Sequence, residues 1–216
     1  MRMPPDMVLF DCDGVLVDSE TLTTQVLCNN LKRHGLTLRP SQFASLFLGG
    51  TIFGIAERAR AMGARLPPSW AEDVYQEVFD VLADHVEPIR GIHAVLDALD
   101  AAGIGYAIGS NGPHRKMEIT LGRTGLMPRF KGRVYSREDV PHPKPAPDVY
   151  LKAAADADVP PSRCCVIEDS PSGARAGQVA GMYCLGFAAE TPVARLQPVC
   201  DDVFHKMAEL PEILGL

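Results

Sequence analysis

The 216-residue chain has no apolar run approaching the roughly 18 residues that a membrane-spanning helix needs. Its first residues, Met1-Arg2-Met3-Pro4-Pro5-Asp6, lack the apolar segment of a secretion signal. Cys12, Cys28, Cys164, Cys165, Cys184 and Cys200 never fall in C-x-x-C spacing, so neither a zinc site nor a disulfide framework is indicated. No G-x-G-x-x-G follows an apolar run, which removes a dinucleotide-binding domain. Internal repeats and low-complexity tracts are missing as well. Positive charge is short: a net charge of −6 and a pI near 5.5 would not offset phosphate repulsion over a broad footprint, so no nucleic-acid or anionic-membrane partner is expected. Hydrophobic content of 46%, charged content of 22% and a mean hydropathy of +0.01 describe an ordinary globular protein of one or two domains, expected to be cytoplasmic.

What the chain does have is concentrated in Met7-Val8-Leu9-Phe10-Asp11-Cys12-Asp13-Gly14. Four apolar residues run into a carboxylate pair and a glycine, the pattern of a buried strand that ends abruptly in a loop. Residues two apart on a strand share a side, so Asp11 and Asp13 are expected to address one site at the carboxyl end, where open parallel sheets place their ligands. A calcium-binding EF-hand loop would want Asp or Asn at position 15, where Val15 stands.

From Thr21 to about Pro88 the pattern is helical throughout. Leu22, Val26, Asn29/Asn30 and Leu31 mark a first helix ending near Gly35; Pro40-Ser41 opens a second; Thr51 caps a third through Ile52, Ile55, Ala56 and Ala59; Ser69 caps a fourth carrying Trp70, Val74, Val78, Val81 and Leu82. Beyond Pro88 the rhythm changes. Helices over 91–102, 113–125, 146–157 and 171–180 alternate with strands over 104–109, 133–136, 164–167 and 182–187, which implies a doubly wound parallel α/β sheet. The expected organisation is a core of residues 1–18 and 89–216 with an inserted all-helical domain at 19–88.

Polar residues follow these strands directly. Ser110-Asn111-Gly112 succeeds the strand at 104–109, and Glu168-Asp169-Ser170 the strand at 164–167, with Ser170-Pro171 as N-cap and first helical residue. Between them, His142-Pro143-Lys144-Pro145 holds a lysine between prolines. Singly, each has a plain reading as cap, solvated charge or helix-dipole partner. Jointly they offer a nucleophile, an acid, a hydroxyl donor, a cation and a second acidic pair at strand ends of one sheet.

In this order, and with a helical insert after the first, Asp11-Cys12-Asp13-Gly14, Ser110-Asn111-Gly112, Lys144-Pro145 and Glu168-Asp169-Ser170 resemble the four motifs of the haloacid dehalogenase superfamily, in its branch with an all-helical cap. The resemblance covers essentially the whole chain. It implies a Rossmann-like core and a Mg2+-dependent enzyme in which Asp11 is the nucleophile that becomes an aspartyl-phosphate, while Asp13 protonates the leaving alkoxide and then activates water. Asp11, the main-chain carbonyl of Asp13 and Asp169 are the implied metal ligands, with Glu168 beside them through a water. Lys144 is the implied second positive charge, and Ser110, Asn111, Cys12 and loop N–H groups are implied to bind the transferring oxygens. Cys12 is not expected to be a nucleophile, because it alternates to the opposite face. Thr23, Gly49 and Gly50 are the substrate-side positions implied in the cap.

Two departures narrow the reading. Dehalogenases of the superfamily lack the second aspartate of the first motif, so Asp13 argues for phosphoryl transfer. Sugar phosphomutases with this cap carry a histidine where Thr23 stands, and the segment Leu46 to Ile52 lacks cations for a second phosphate. The expected activity is hydrolysis of a small phosphorylated metabolite, such as a sugar phosphate or a phosphogluconate-like or phosphoglycolate-like ester, by a monomer or weak homodimer. A mutase of the β-phosphoglucomutase type is the alternative, and a non-catalytic phosphoacceptor or binding protein the alternative of another class.

Overall fold

The computed structural model describes residues 4–47 and 52–216. The chain divides into two compact units, one formed by residues 1–18 and 87–216, the other by Ser19–Val86. The boundary falls two residues before the one expected from sequence. The reason is local: the Asp18 N–H donates to the Glu87 carbonyl, and Val17 bridges Pro88 in antiparallel fashion, which binds 87–88 to the core.

In the larger unit six strands form one parallel sheet: β1 (Met7–Phe10), β2 (Gly105–Ser110), β3 (Val134–Ser136), β4 (Cys164–Glu168), β5 (Tyr183–Phe187) and β6 (Asp202–Phe204), in the spatial order β3-β2-β1-β4-β5-β6. The doubly wound α/β expectation therefore holds, with β1 central. All four β1 residues are buried, as befits a strand covered on both faces. Leu9 faces Val149, Tyr150, Val166 and Ala174, packing the sheet onto α7 (Asp148–Asp156) and α8 (Pro171–Val179). On the other face Phe10 and Tyr106 meet Phe130 edge-on, at ring separations of 6.4 and 5.2 Å.

The reversal of strand order lies at β1. Its neighbours are β2, where Phe10 pairs with Ile108, and β4, where Phe10 pairs with Ile167. This register brings the residues after Phe10, Ser110 and Glu168 to one edge of the sheet, the position at which such sheets bind ligands.

The smaller unit is helical: α1 (Glu20–Arg33), α2 (Pro40–Phe47), α3 (Ile52–Ala61) and α4 (Trp70–His85). Its core joins Leu27, Leu31, Phe43, Ile55, Trp70 and Val74. One polar chain ties α1 to α4: the buried Trp70 indole donates to Asn30 at 2.6 Å, the Asn30 amide donates to Glu77, and Arg33 forks onto the same carboxylate. Ser69 stands at the start of α4 as expected, but its hydroxyl donates to Asp73 rather than accepting a helix N–H. The expected Thr51 cap and the positions Gly49 and Gly50 lie outside the described residues. None of the described helices is long and apolar enough to cross a membrane.

Candidate active site

Asp11 follows β1 directly, and its N–H still donates to Ile167 of β4 at 3.0 Å, so the backbone there is held as if the strand continued. Gly14 then turns the chain with φ +76°, and a methyl built on it would collide with the Asp169 carboxylate. Only glycine suits both demands.

Lys144 is the centre of the buried constellation. Its side chain is 3% exposed, and its ammonium donates to Asp11 Oδ1 and Glu168 Oε1, both at 2.6 Å, and lies 4.5 Å above the Tyr150 ring. Asn111 fixes the loop that carries it. The Lys144 N–H donates to Asn111 Oδ1 at 2.9 Å, and Asn111 Nδ2 donates back to the Lys144 carbonyl at 3.1 Å. Asn111, expected among the phosphate-binding groups, thus has both ends of its amide on the main chain of Lys144.

Glu168 is saturated on both oxygens. Oε1 accepts from Lys144 and from the buried Tyr150 hydroxyl at 2.8 Å; Oε2 accepts from the N–H and hydroxyl of Ser170. Ser170 in turn accepts from Gly173 N–H at 3.1 Å, the N-cap expected for α8, with Pro171 at its first position. Ser110, at the end of β2, is 1% exposed, and its hydroxyl accepts from Gly112 N–H. Ser136 donates to the Gly112 carbonyl at 2.7 Å, so the 110–112 loop is held from two sides.

Asp13 departs from the simple strand picture. Because β1 ends at Phe10, Asp13 is not bound to alternate with Asp11, and the two carboxylates go to different lysines. Asp13 Oδ1 meets Lys116 Nζ at 2.8 Å, from the first turn of α6 (His114–Arg123). Lys116 and Tyr150 were missed by sequence reasoning. Lys116 reads as one more basic residue in His114-Arg115-Lys116, and Tyr150 as a core aromatic; no periodicity marks a polar tip aimed at a strand end.

Cys12 lies under the site with a fully buried thiol beside Thr120. Burial, then the Asp13 and Asp11 carboxylates, push that thiol well above its ordinary range, so it is not a thiolate. Thr23 sits in α1 with its hydroxyl donating to the Ser19 carbonyl at 2.8 Å.

Asp11, Glu168 and Asp169 each offer a carboxylate oxygen, all within 4.8 Å of one another and all buried. Burial raises the Asp11 carboxyl to about 7, with Lys144 pulling the other way and Glu168 and Asp13 adding to the rise. Burial would depress Lys144, but its two carboxylates outweigh that and hold it above the ordinary lysine range. Lys144 and Lys116 bring two positive charges to the four carboxylates of Asp11, Asp13, Glu168 and Asp169. The donor set is all oxygen, hard and anionic, which fits Mg2+.

A haloacid dehalogenase-like hydrolase family model matches residues 5–181. The chain is 30% identical over 210 residues to the 6-phosphogluconate phosphatase of Escherichia coli strain K12, covering 96% of this chain and 94% of that protein. It is also 30% identical over 204 residues to hexitol phosphatase A of the same strain, covering 94% and 91%. Among solved structures, a haloacid dehalogenase family hydrolase from Deinococcus radiodurans R1, crystallised with bound phosphate and sodium, superposes with a TM-score of 0.85 at 33% identity over 99% of this chain and 96% of that one. With the ordered motifs gathered at one sheet edge and a family match running from before β1 to beyond α8, the chain belongs to the haloacid dehalogenase-like hydrolases.

Proposed function

We propose that this hydrolase is a Mg2+-dependent phosphatase that cleaves a small phosphorylated metabolite, of the sugar-phosphate or phosphogluconate type, through an aspartyl-phosphate on Asp11. The observation that carries the reading is the convergence of three segments, Asp11 and Asp13 after β1, Lys144 in its proline-flanked loop and Glu168 at the end of β4, onto the edge at which β1 reverses the strand order. Relatives named as phosphatases of phosphogluconate and hexitol phosphates support the substrate class.

The chemical difficulty is the approach of an anion to a phosphate dianion, a reaction that is extremely slow without a catalyst. Asp11, the main-chain carbonyl of Asp13 and Asp169 would hold the magnesium ion, with Glu168, whose oxygens are already occupied, beside it through a water. The ion would supply the Lewis acidity that offsets this repulsion. Lys144 keeps Asp11 oriented and adds a positive charge beside it. An Asp11 oxygen forms the bond to phosphorus while the ester P–O bond breaks, and the proton on Asp13 passes to the departing oxygen. Water then attacks phosphorus, gives its proton to Asp13, and frees Asp11. Ser110, the second amide hydrogen of Asn111 and main-chain N–H groups, including that of Cys12, would hold the transferring oxygens. The Cys12 side chain cannot contribute, because it is buried beneath the loop.

A hydrolase is favoured over a mutase by the state of the cap cations. Arg33 is committed to Glu77, and Arg58 donates to the Leu46 carbonyl, so two candidates for holding a second phosphate are engaged within their own unit. The test is phosphate release from a panel of phosphorylated metabolites with Mg2+. Asp11→Asn should abolish turnover with an unchanged circular dichroism spectrum; retention of even about a tenth of the rate would rule out Asp11 as nucleophile.

A further inference from the structure

We propose that Lys116 is the positioning residue of the leaving-group acid: it fixes which oxygen of Asp13 carries the transferable proton. The inference rests on Asp13 being that acid. Lys116 is two-thirds of a turn into α6, its side chain only 16% exposed, and its ammonium contacts Asp13 Oδ1 at 2.8 Å. An ammonium can only donate, so Oδ1 is held as an acceptor and cannot carry the acid proton towards Lys116. The proton is left on Oδ2.

The second oxygen lies beside the loop that follows β2. A methyl built on Gly112 would lie 3.6 Å from Asp13 Oδ2 and 3.3 Å from Ser110 Oγ, so Oδ2 flanks the same 110–112 loop that presents Ser110. Lys116 and Lys144 therefore divide the work. Lys144 sits on the nucleophile and on Glu168, deep among buried groups; Lys116 sits on the acid, nearer the surface. During transfer the ester P–O bond breaks as the Asp11–phosphorus bond forms, the Oδ2 proton goes to the leaving oxygen, and Lys116 remains on the Oδ1 of the resulting carboxylate. When water attacks, its proton returns to Oδ2.

The test separates esters by their need for an acid. An alkyl phosphate such as glycerol phosphate loses a strongly basic alkoxide, whereas 4-nitrophenyl phosphate loses a stable phenoxide that departs without a proton. Lys116→Met should lower kcat/KM for the alkyl ester by about a hundredfold, the range of general-acid catalysis, and for the aryl ester by less than about tenfold. Lys116→Arg, also a donor-only cation, should recover most of the alkyl-ester loss. Circular dichroism and thermal melts establish that each variant is folded, and Lys116→Gln gives a second neutral replacement should Lys116→Met fold poorly. Equal losses on the two esters would assign Lys116 to phosphate binding and overturn the inference, as would no loss on either. Asp13→Asn is run beside them. If it lowers kcat/KM for both esters equally, Asp13 is not the acid of the transfer step and the parent reading falls. If Asp13→Asn discriminates between the esters and Lys116→Met does not, only the role of Lys116 is refuted.

Discussion

Replacing Gly173 by alanine pits two effects of known size against each other. Gly173 is the third residue of α8, and alanine is worth about 0.5–1 kcal/mol more than glycine in a helix. A methyl there, however, would fall inside the Glu168 carboxylate, which is fully buried. Glu168 would have to abandon Lys144, Tyr150 and Ser170, and separating a buried charge from its partner costs about 3–5 kcal/mol. The net expectation is destabilisation by roughly 2–4 kcal/mol. Gly122 supplies the control. It lies in α6, exposed, with nothing within 4 Å of an added methyl, so Gly122→Ala should stabilise by about 0.5–1 kcal/mol. Urea unfolding of the two variants, read as midpoint shifts at constant slope, checks the pair. A Gly173→Ala protein as stable as the wild type would refute the close approach of α8 to Glu168.

Chelation should abolish phosphate release and Mg2+ restore it, with Ca2+ a poor substitute because its larger, looser shell would misplace Asp11. Mg2+ should also raise the melting temperature of the metal-free protein, and Asp169→Asn should remove that rise; a shift that survives the substitution would place the ion elsewhere. In the metal-free protein, stability should fall as pH rises from the acid range through about 7, because a carboxyl raised by folding favours the protonated form and forfeits that advantage as it ionises. Melts from about pH 5 to 8 check this, and a rising melting temperature over that interval would contradict the burial of Asp11.

The parts of the fold that were legible are those where one local signal decides the outcome. Ile104 to Gly109 and Cys164 to Ile167 are short runs without charge, and strands appear at Gly105–Ser110 and Cys164–Glu168. Ser170-Pro171 predicts a helix start, and the Ser170 hydroxyl makes the cap bond. Strand β6 was not anticipated: Asp202-Val203-Phe204 pairs on one side only, at the edge of the sheet, and three residues with one charge carry no pattern. Site residues were legible where they stand at the carboxyl end of a strand or directly after it, as Ser110, Glu168 and Asp11 do. Lys116 and Tyr150 reach the same edge from helices, where direction depends on how α6 and α7 dock. Asn111 was visible, but its bonds to the Lys144 main chain depend on two loops meeting.

The central place of β1 also bears on how the protein is made. Met7 must wait for Gly105 on one side and Cys164 on the other before its strand has both neighbours, and Lys144 reaches Asp11 across 133 positions of chain. Until β4 has been added, the first strand is an apolar edge, a stretch that a growing polypeptide must keep from pairing with others. Contacts this distant in sequence form slowly, because loop closure costs entropy before the pairing repays it. Any nascent chain that stops short of β4 therefore lacks both the Glu168-Asp169 pair and the strand that aligns it, so the buried constellation is completed in one late step rather than accumulating along synthesis.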